Sequence, residues 1–188
     1  LPDTVYERGT SSTNPQEADA VVQAVLEHAR SRPELSLGVA AFSQAQKDAI
    51  EKRIEALARK DAAFDQWSTS NAEEPFFVKN LENVQGDERD VILISVGYGR
   101  DAAGAVSMNF GPLNQAGGER RLNVLITRAR RRCVVFTNLS PDDIDLARAP
   151  GDGVRALKAF LAFAKCGRLP EVPGEALEAV DLEAEIAE

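Results

Sequence analysis

Two stretches of this 188-residue chain hold residues whose types and spacing could do chemistry. The first is Lys79-Asn80-Leu81-Glu82-Asn83-Val84-Gln85-Gly86-Asp87-Glu88-Arg89-Asp90, which joins one apolar run to another. A polar loop at the carboxyl end of a buried strand is where open α/β sheets bind ligands. Gly86 permits a tight turn with close backbone approach, and Gln85 and Glu88 can offer hydrogen bonds to a sugar or a base. Taken alone, a surface turn with solvated charges explains the same residues. The second stretch is Gly118-Glu119-Arg120-Arg121-Leu122-Asn123-Val124-Leu125-Ile126-Thr127-Arg128-Ala129-Arg130. Leu122, Leu125, Ile126 and Ala129 recur at helical spacing, which predicts a helix packed on a sheet. Arg121 and Arg128, seven apart, then share another face. An arginine held near the end of a packed helix suits a planar donor fork aimed at phosphate. A surface salt-bridge helix is the alternative, weakened by Asn123 and Thr127, which interrupt a simple charged face.

Charge distribution singles out the same region. The net charge is −8, yet Glu119–Arg132 holds six arginines and one acid. The remainder carries sixteen basic residues against twenty-nine acidic ones. One concentrated basic element on an acidic body points to a local anion site: a nucleotide phosphate, a nucleic-acid backbone, or an internal acidic surface.

The elements that must position these residues alternate between helical and strand patterns, which predicts an α/β domain with a mainly parallel sheet. Asn14-Pro15-Gln16-Glu17 reads as a helix start, and the apolar spacing of Ala18, Val21, Val22, Val25 and Ala29 continues it to before Pro33. Leu37–Phe42 reads as a buried strand. Ser43-Gln44-Ala45-Gln46 reads as a capping box opening a helix through about Arg59. Further strands are expected at Phe76–Val78, Val91–Val96 and Cys133–Thr137, and a last amphipathic helix at Val154–Ala164. Continuous apolar strands imply a sheet covered on both faces. One domain over 1–168 is expected, with 169–188 an acidic linker or the start of a following domain. The chain begins at Leu1 and reads as a piece of something longer.

Composition narrows the classes further. No apolar run approaches the roughly 20 residues of a membrane span, and no secretory signal pattern opens the chain. Cys133 and Cys166 lack metal-ligand spacing, and Cys133, opening an apolar run, is expected as a small buried hydrophobe. A reducing cytoplasm is the simpler setting. The lone His28 has no Cys or second His nearby, so a structural histidine is expected rather than a zinc ligand.

Three segments in order resemble motifs of superfamily 1 helicases, in the branch containing the nonsense-mediated-decay helicase (superfamily 1B-like). Val39-Ala40-Ala41-Phe42-Ser43-Gln44-Ala45-Gln46 is similar to motif IV, Gln85-Gly86-Asp87-Glu88-Arg89-Asp90 to motif V, and Arg120–Ala129 to motif VI. The resemblance spans about Tyr6 to Asn138 and implies the second, C-terminal RecA-like domain of an ATP-driven nucleic-acid motor. It implies that Arg128 is the arginine finger on the γ-phosphate, with Arg121 supporting it or the domain interface. It implies that Glu88 accepts from the ATP ribose, while Gln85 and Gly86 couple the nucleotide cleft to the nucleic-acid track. Asn80 falls where the family contacts the nucleic-acid backbone, and Ser43 and Gln44 lie in motif IV. That motif commonly reads Thr-Pro-Tyr, and here Ala41-Phe42-Ser43 lacks the aromatic, so capping is expected of Ser43 and Gln46 ahead of substrate contact.

The sequence has no G-x-x-x-x-G-K-[ST] and no Asp-Glu pair after an apolar strand. The resemblance implies that the P-loop and the Mg²⁺ ligands lie on a first RecA-like domain, so that this chain alone turns over no ATP. Single-stranded DNA or RNA, that first domain and a following nuclease-like domain are the implied partners. A non-enzymatic RecA-like binding module, or an acidic scaffold whose arginines pair internally, are the alternatives.

Overall fold

The structure, a computed structural model, describes residues 1–167. The expected acidic segment 169–188 lies outside the described residues. Helix α1 (Pro15–Ser31) starts where Asn14 Oδ1 accepts the Glu17 N–H at 3.0 Å, with Pro15 in the first turn. Strand β1 (Leu37–Ala41) leads into α2 (Gln44–Ala58) and α3 (Ala62–Ser70), followed by β2 (Phe77–Asn80) and β3 (Arg89–Ser95). A glycine-containing excursion ends in a short 3-10 turn (Gly111–Asn114), then come α4 (Gly118–Ile126), β4 (Ala129–Phe136) and α5 (Asp152–Cys166).

The four strands pair in the order β2-β1-β3-β4, all parallel. Alternation along the central strands accounts for the layers, because successive side chains leave opposite faces. Leu37, Val39, Ala41, Val91 and Leu93 bury against α1, α2 and α3 with Val21, Val25, Ile50 and Phe64. Ala40, Ile92 and Ile94 bury on the other face with Leu122, Leu125, Leu157 and Leu161 of α4 and α5. Both faces are covered, as the continuous apolar strands predict.

Three local expectations need correction. The arginine-rich helix is expected through Arg130 but ends at Ile126. Thr127 caps it, its hydroxyl donating to the carbonyls of Asn123 and Val124, and the Arg128 carbonyl is taken by the Arg89 N–H at 3.1 Å. Pairing with β3 thus overrides the helical period, and Arg130–Arg132 become strand residues exposed at the edge of the described sheet. Cys133 lies on that edge and is exposed rather than buried. Helix α3, absent from the expected elements, is opened by Asp61, whose carboxylate accepts the Phe64 N–H at 3.1 Å. His28 is structural as expected: it is buried, and its Nε2 lies 2.9 Å from the Leu35 carbonyl. Among the described residues, no helix is long and apolar enough to cross a membrane.

Candidate nucleotide and nucleic-acid interfaces

The register of the sheet divides the candidate residues between its two edges. Ala41 pairs with both Asn80 and Ser95, which marks the carboxyl edge. Arg89, opposite Ala129, marks the amino edge. The loop from Asn80 to Glu88 therefore does not stay at a strand's carboxyl end, as the sequence suggests. It runs back along the sheet, held down by Leu81 and Val84, which are buried in the core. Asn80 remains at the carboxyl edge, and Gln85, Gly86 and Glu88 sit on the return toward the amino edge.

At the amino edge the two motifs meet. Arg128 Nη1 lies 3.4 Å from Glu88 Oε1. The guanidinium is also fixed to its own turn, Nε donating to the Val124 carbonyl at 2.9 Å and Nη2 to Thr127 Oγ1 at 3.2 Å. Arg128 is mostly buried, whereas the Glu88 side chain is half-exposed at 52%. The result is a donor fork held from behind by carbonyl and hydroxyl, with a carboxylate at its open side. Such a pair can receive a phosphate on the arginine and a sugar hydroxyl on the glutamate with little rearrangement.

Arg121 stands elsewhere. Its Nη1 donates to the Ala116 carbonyl at 2.9 Å, at the start of α4. Because Arg128 falls beyond the helix end, the seven-residue spacing does not place the two on one helical face. About 7.5 Å of helix axis runs from Arg121 to the helix end at Ile126, and Arg128 follows beyond it. Gln85 is exposed, and Gly86 turns the loop with φ +86. A side chain at residue 86 meets no atom within 4 Å but must take a left-handed backbone. Gly86→Ala is accordingly expected to lower stability by about 1 kcal/mol through backbone strain alone. A chemical-denaturation midpoint that does not move would show that the turn relaxes.

A second ionic cluster backs the first. Arg130 binds the Glu74 carboxylate through both terminal nitrogens, at 2.5 and 2.6 Å, and reaches Asp90 at 3.4 Å, while Arg131 Nε lies 3.1 Å from Asp90. The Arg130 hydrogen bonds hold Glu74 down to about 2. Part of the arginine-rich stretch is therefore paired internally and ties β4 to the segment before β2.

The carboxyl edge gathers the other three residues. Asn80 Nδ2 donates to Gln44 Oε1 at 2.7 Å, and Gln44 Nε2 in turn donates to Asp48. Ser43 caps α2 by accepting the Gln46 N–H at 3.1 Å. The capping box is only half made, since the Gln46 side chain turns into the core instead of back to Ser43. There it bonds the Asn14 backbone through both its oxygen and its nitrogen, and donates to Ser95 Oγ at 3.1 Å. Glu17, read from the sequence as part of a helix start, joins the same network. Ser95 Oγ donates to its Oε1 at 2.6 Å and the Gly97 N–H at 2.8 Å. A signal was available: Glu17 precedes Val21 and Val25, and Gln46 precedes Ile50 and Ile54, by multiples of four, which sets both on buried helix faces.

An all-parallel sheet with helices on both faces is the architecture of a RecA-like α/β domain. A family model described as an AAA domain matches residues 3–140, and the chain belongs to that family as a superfamily 1 helicase domain. Over 170 residues it is 35% identical to the protein named "Uncharacterized ATP-dependent helicase MG140" of Mycoplasma genitalium, a match covering 88% of this chain and 14% of that protein. The homologue in Mycoplasma pneumoniae is 35% identical over 173 residues, covering 89% of this chain and 15% of that protein. The chain thus spans about one seventh of the length of these curated relatives.

Proposed function

We propose that this chain is the second RecA-like domain of an ATP-dependent helicase, in the superfamily 1 branch containing the nonsense-mediated-decay helicase. Arg128 acts as the arginine finger on the γ-phosphate of ATP bound by a first RecA-like domain, and Glu88 accepts a ribose hydroxyl. The observation that carries this reading is the 3.4 Å approach of Arg128 to Glu88. Residues forty positions apart, from two motifs that the resemblance assigns to one nucleotide, occupy one edge of the sheet. Arg121 supports the domain interface from the other end of α4, and Gln85 and Gly86 link the nucleotide edge to Asn80. Asn80, Gln44 and Ser43 contribute to the track for single-stranded DNA or RNA.

In this reading, ATP supplies the phosphoanhydride whose cleavage opens and closes the two domains. This chain contributes half of the site: it stabilises charge on the transferred phosphoryl group, while the P-loop and the Mg²⁺ ligands belong to the partner domain. Residues 1–168 form the motor half, 169–188 are an acidic linker or the start of a following domain, and the protein works in the cytoplasm. The purified chain is expected to turn over no ATP. A polypeptide that also carries the first domain is expected to hydrolyse ATP faster when single-stranded nucleic acid is present. ATP turnover by this chain alone, or no turnover by the two domains together, would overturn the reading.

A further inference from the structure

A cleft of about 410 Å³ opens at the carboxyl edge of the sheet, beside the Ser43 cap. Three separate segments wall it: Tyr6 and Arg8 before α1, Ser43 at the start of α2, and Tyr98, Ser107 and Asn109 from the excursion after β3. Tyr6 and Tyr98 meet edge to face with ring centroids 6.0 Å apart. Arg8 is the one charged residue lining the cleft, on a chain whose net charge is −8. Its guanidinium has no hydrogen-bond or ion-pair partner among the described residues. The neighbouring carboxylate, Glu7, accepts the Ser11 hydroxyl through one oxygen at 2.6 Å and makes no ion pair with Arg8. The first turn of α2 has no acid, so its free N–H groups add to the attraction for an anion.

The walls are fixed in advance. Asn14, Gln46, Ser95, Glu17 and Gly97 form the buried network described above, and it ties the segment before α1, helix α2 and the end of β3 to one another. Tyr6 is joined to the far wall, its N–H donating to the Arg100 carbonyl at 2.8 Å. Burial pushes the Tyr98 phenol up to about 12, aided by the charges of Tyr6 and Glu82, so its hydroxyl stays a donor at neutral pH. Aromatic edges, hydroxyls, an amide and one unpartnered cation, in a space of small-ligand size, match an aromatic base attached to a phosphate.

We infer that this cleft holds one nucleotide unit of the single strand, with its base against Tyr6 and Tyr98 and its phosphate on Arg8 and the first turn of α2. The inference rests on the reading of the domain as half of a nucleic-acid motor. A strand fits better than free ATP for a geometric reason. The cleft shares its edge with the Asn80–Gln44 pair, whereas Arg128 and Glu88 occupy the opposite edge.

The test uses a fluorescent single-stranded thymidylate oligomer, a second oligomer carrying 5-iodouridine for photo-crosslinking, and excess ATP as competitor. Arg8→Ala removes an exposed, unpartnered side chain and should leave thermal unfolding unchanged. It should weaken the oligomer about tenfold and flatten the plot of log affinity against log salt by about 0.7, the contribution of one phosphate on a single strand. Crosslinked peptides should contain Tyr6 or Tyr98, and ATP should not displace the oligomer. If the wild type binds the oligomer but Arg8→Ala binds equally well and the crosslinks lie elsewhere, the cleft is not on the track and the motor reading stands. If ATP displaces the oligomer and suppresses the tyrosine crosslinks, the cleft takes free nucleotide and the strand assignment is wrong. If the folded wild type binds no oligomer, the nucleic-acid part of the motor reading fails together with the cleft.

Discussion

Arg128→Ala, in a polypeptide carrying both RecA-like domains, is expected to reduce ATP turnover by roughly 10³- to 10⁵-fold, the range over which arginine fingers act on phosphoryl transfer. The magnitude follows from charge. As the proposed finger, a guanidinium already oriented by Val124 and Thr127 would face the developing negative charge, and alanine would leave that charge to water. The same hydrogen bonds give Arg128 a structural share, because they help satisfy the end of α4. Their loss is expected to lower stability by about 1 kcal/mol, which unfolds only a small fraction of a domain of ordinary stability. Activity and stability therefore separate. Arg128→Lys keeps the charge but not the fork, and should recover little of the turnover. If Arg128→Ala hydrolyses ATP at the normal rate but unfolds several degrees earlier, the arginine only braces Glu88 and the helix end. The internally paired scaffold would then be the better description.

In the proposed reading Glu88 has the converse place. Half-exposed, it pairs with the guanidinium at 3.4 Å. In that reading an arriving γ-phosphate would compete for the same N–H groups, and the glutamate would be freed toward the ribose. The exchange of one anion for another is cheap in electrostatic terms, since the arginine is never left buried without a partner.

The sheet and its layers were legible in the sequence because the strands are continuous apolar runs and the helices announce themselves by caps. Asn14 and Ser43 carry that information locally, and both caps form. Helix α3 escaped because its nine residues offer only Phe64 and Trp67 as apolar anchors, too few to set a period. The end of α4 escaped for a different reason. The apolar spacing runs on through Ala129, and only the competing ladder with β3 stops the helix at Ile126. The candidate site was legible as residue types but not as geometry. Nothing local indicates that Gln85–Glu88 recrosses the sheet, so a loop read as one site divides between two edges. The Arg128–Glu88 contact depends on strand pairing and could be expected only through the family resemblance. The charged pairs of Arg130 and Arg131 likewise required the fold, since Glu74 and Asp90 are remote in sequence.

Glu17→Gln is expected to stabilise the domain at pH 8 while leaving its stability at pH 4 nearly unchanged. Glu17 is fully buried, and Oε2 has no hydrogen-bond partner. Burial raises its pKa from 4.5 to about 7, against the opposing hydrogen bonds from Ser95 and Gly97. Below the unfolded value the carboxyl is protonated in both states and contributes no pH dependence. Between about 4.5 and 7 the unfolded chain releases the proton and the folded one retains it, so stability falls as pH rises. Above about 7 the folded state carries a buried charge and the loss is complete, at most about 3 kcal/mol for a shift of this size. Glutamine keeps an acceptor for the Ser95 hydroxyl and the Gly97 N–H, and it cannot ionise. Urea midpoints at pH 4, 6 and 8 test this: the gap between variant and wild type should widen with pH. A constant gap would mean that Glu17 is charged throughout and stabilised by something other than its visible neighbours. A widening gap would mean that the carboxyl edge is held together by a neutral acid, and that the Asn14–Gln46–Ser95 network loosens as the domain is taken above neutral pH.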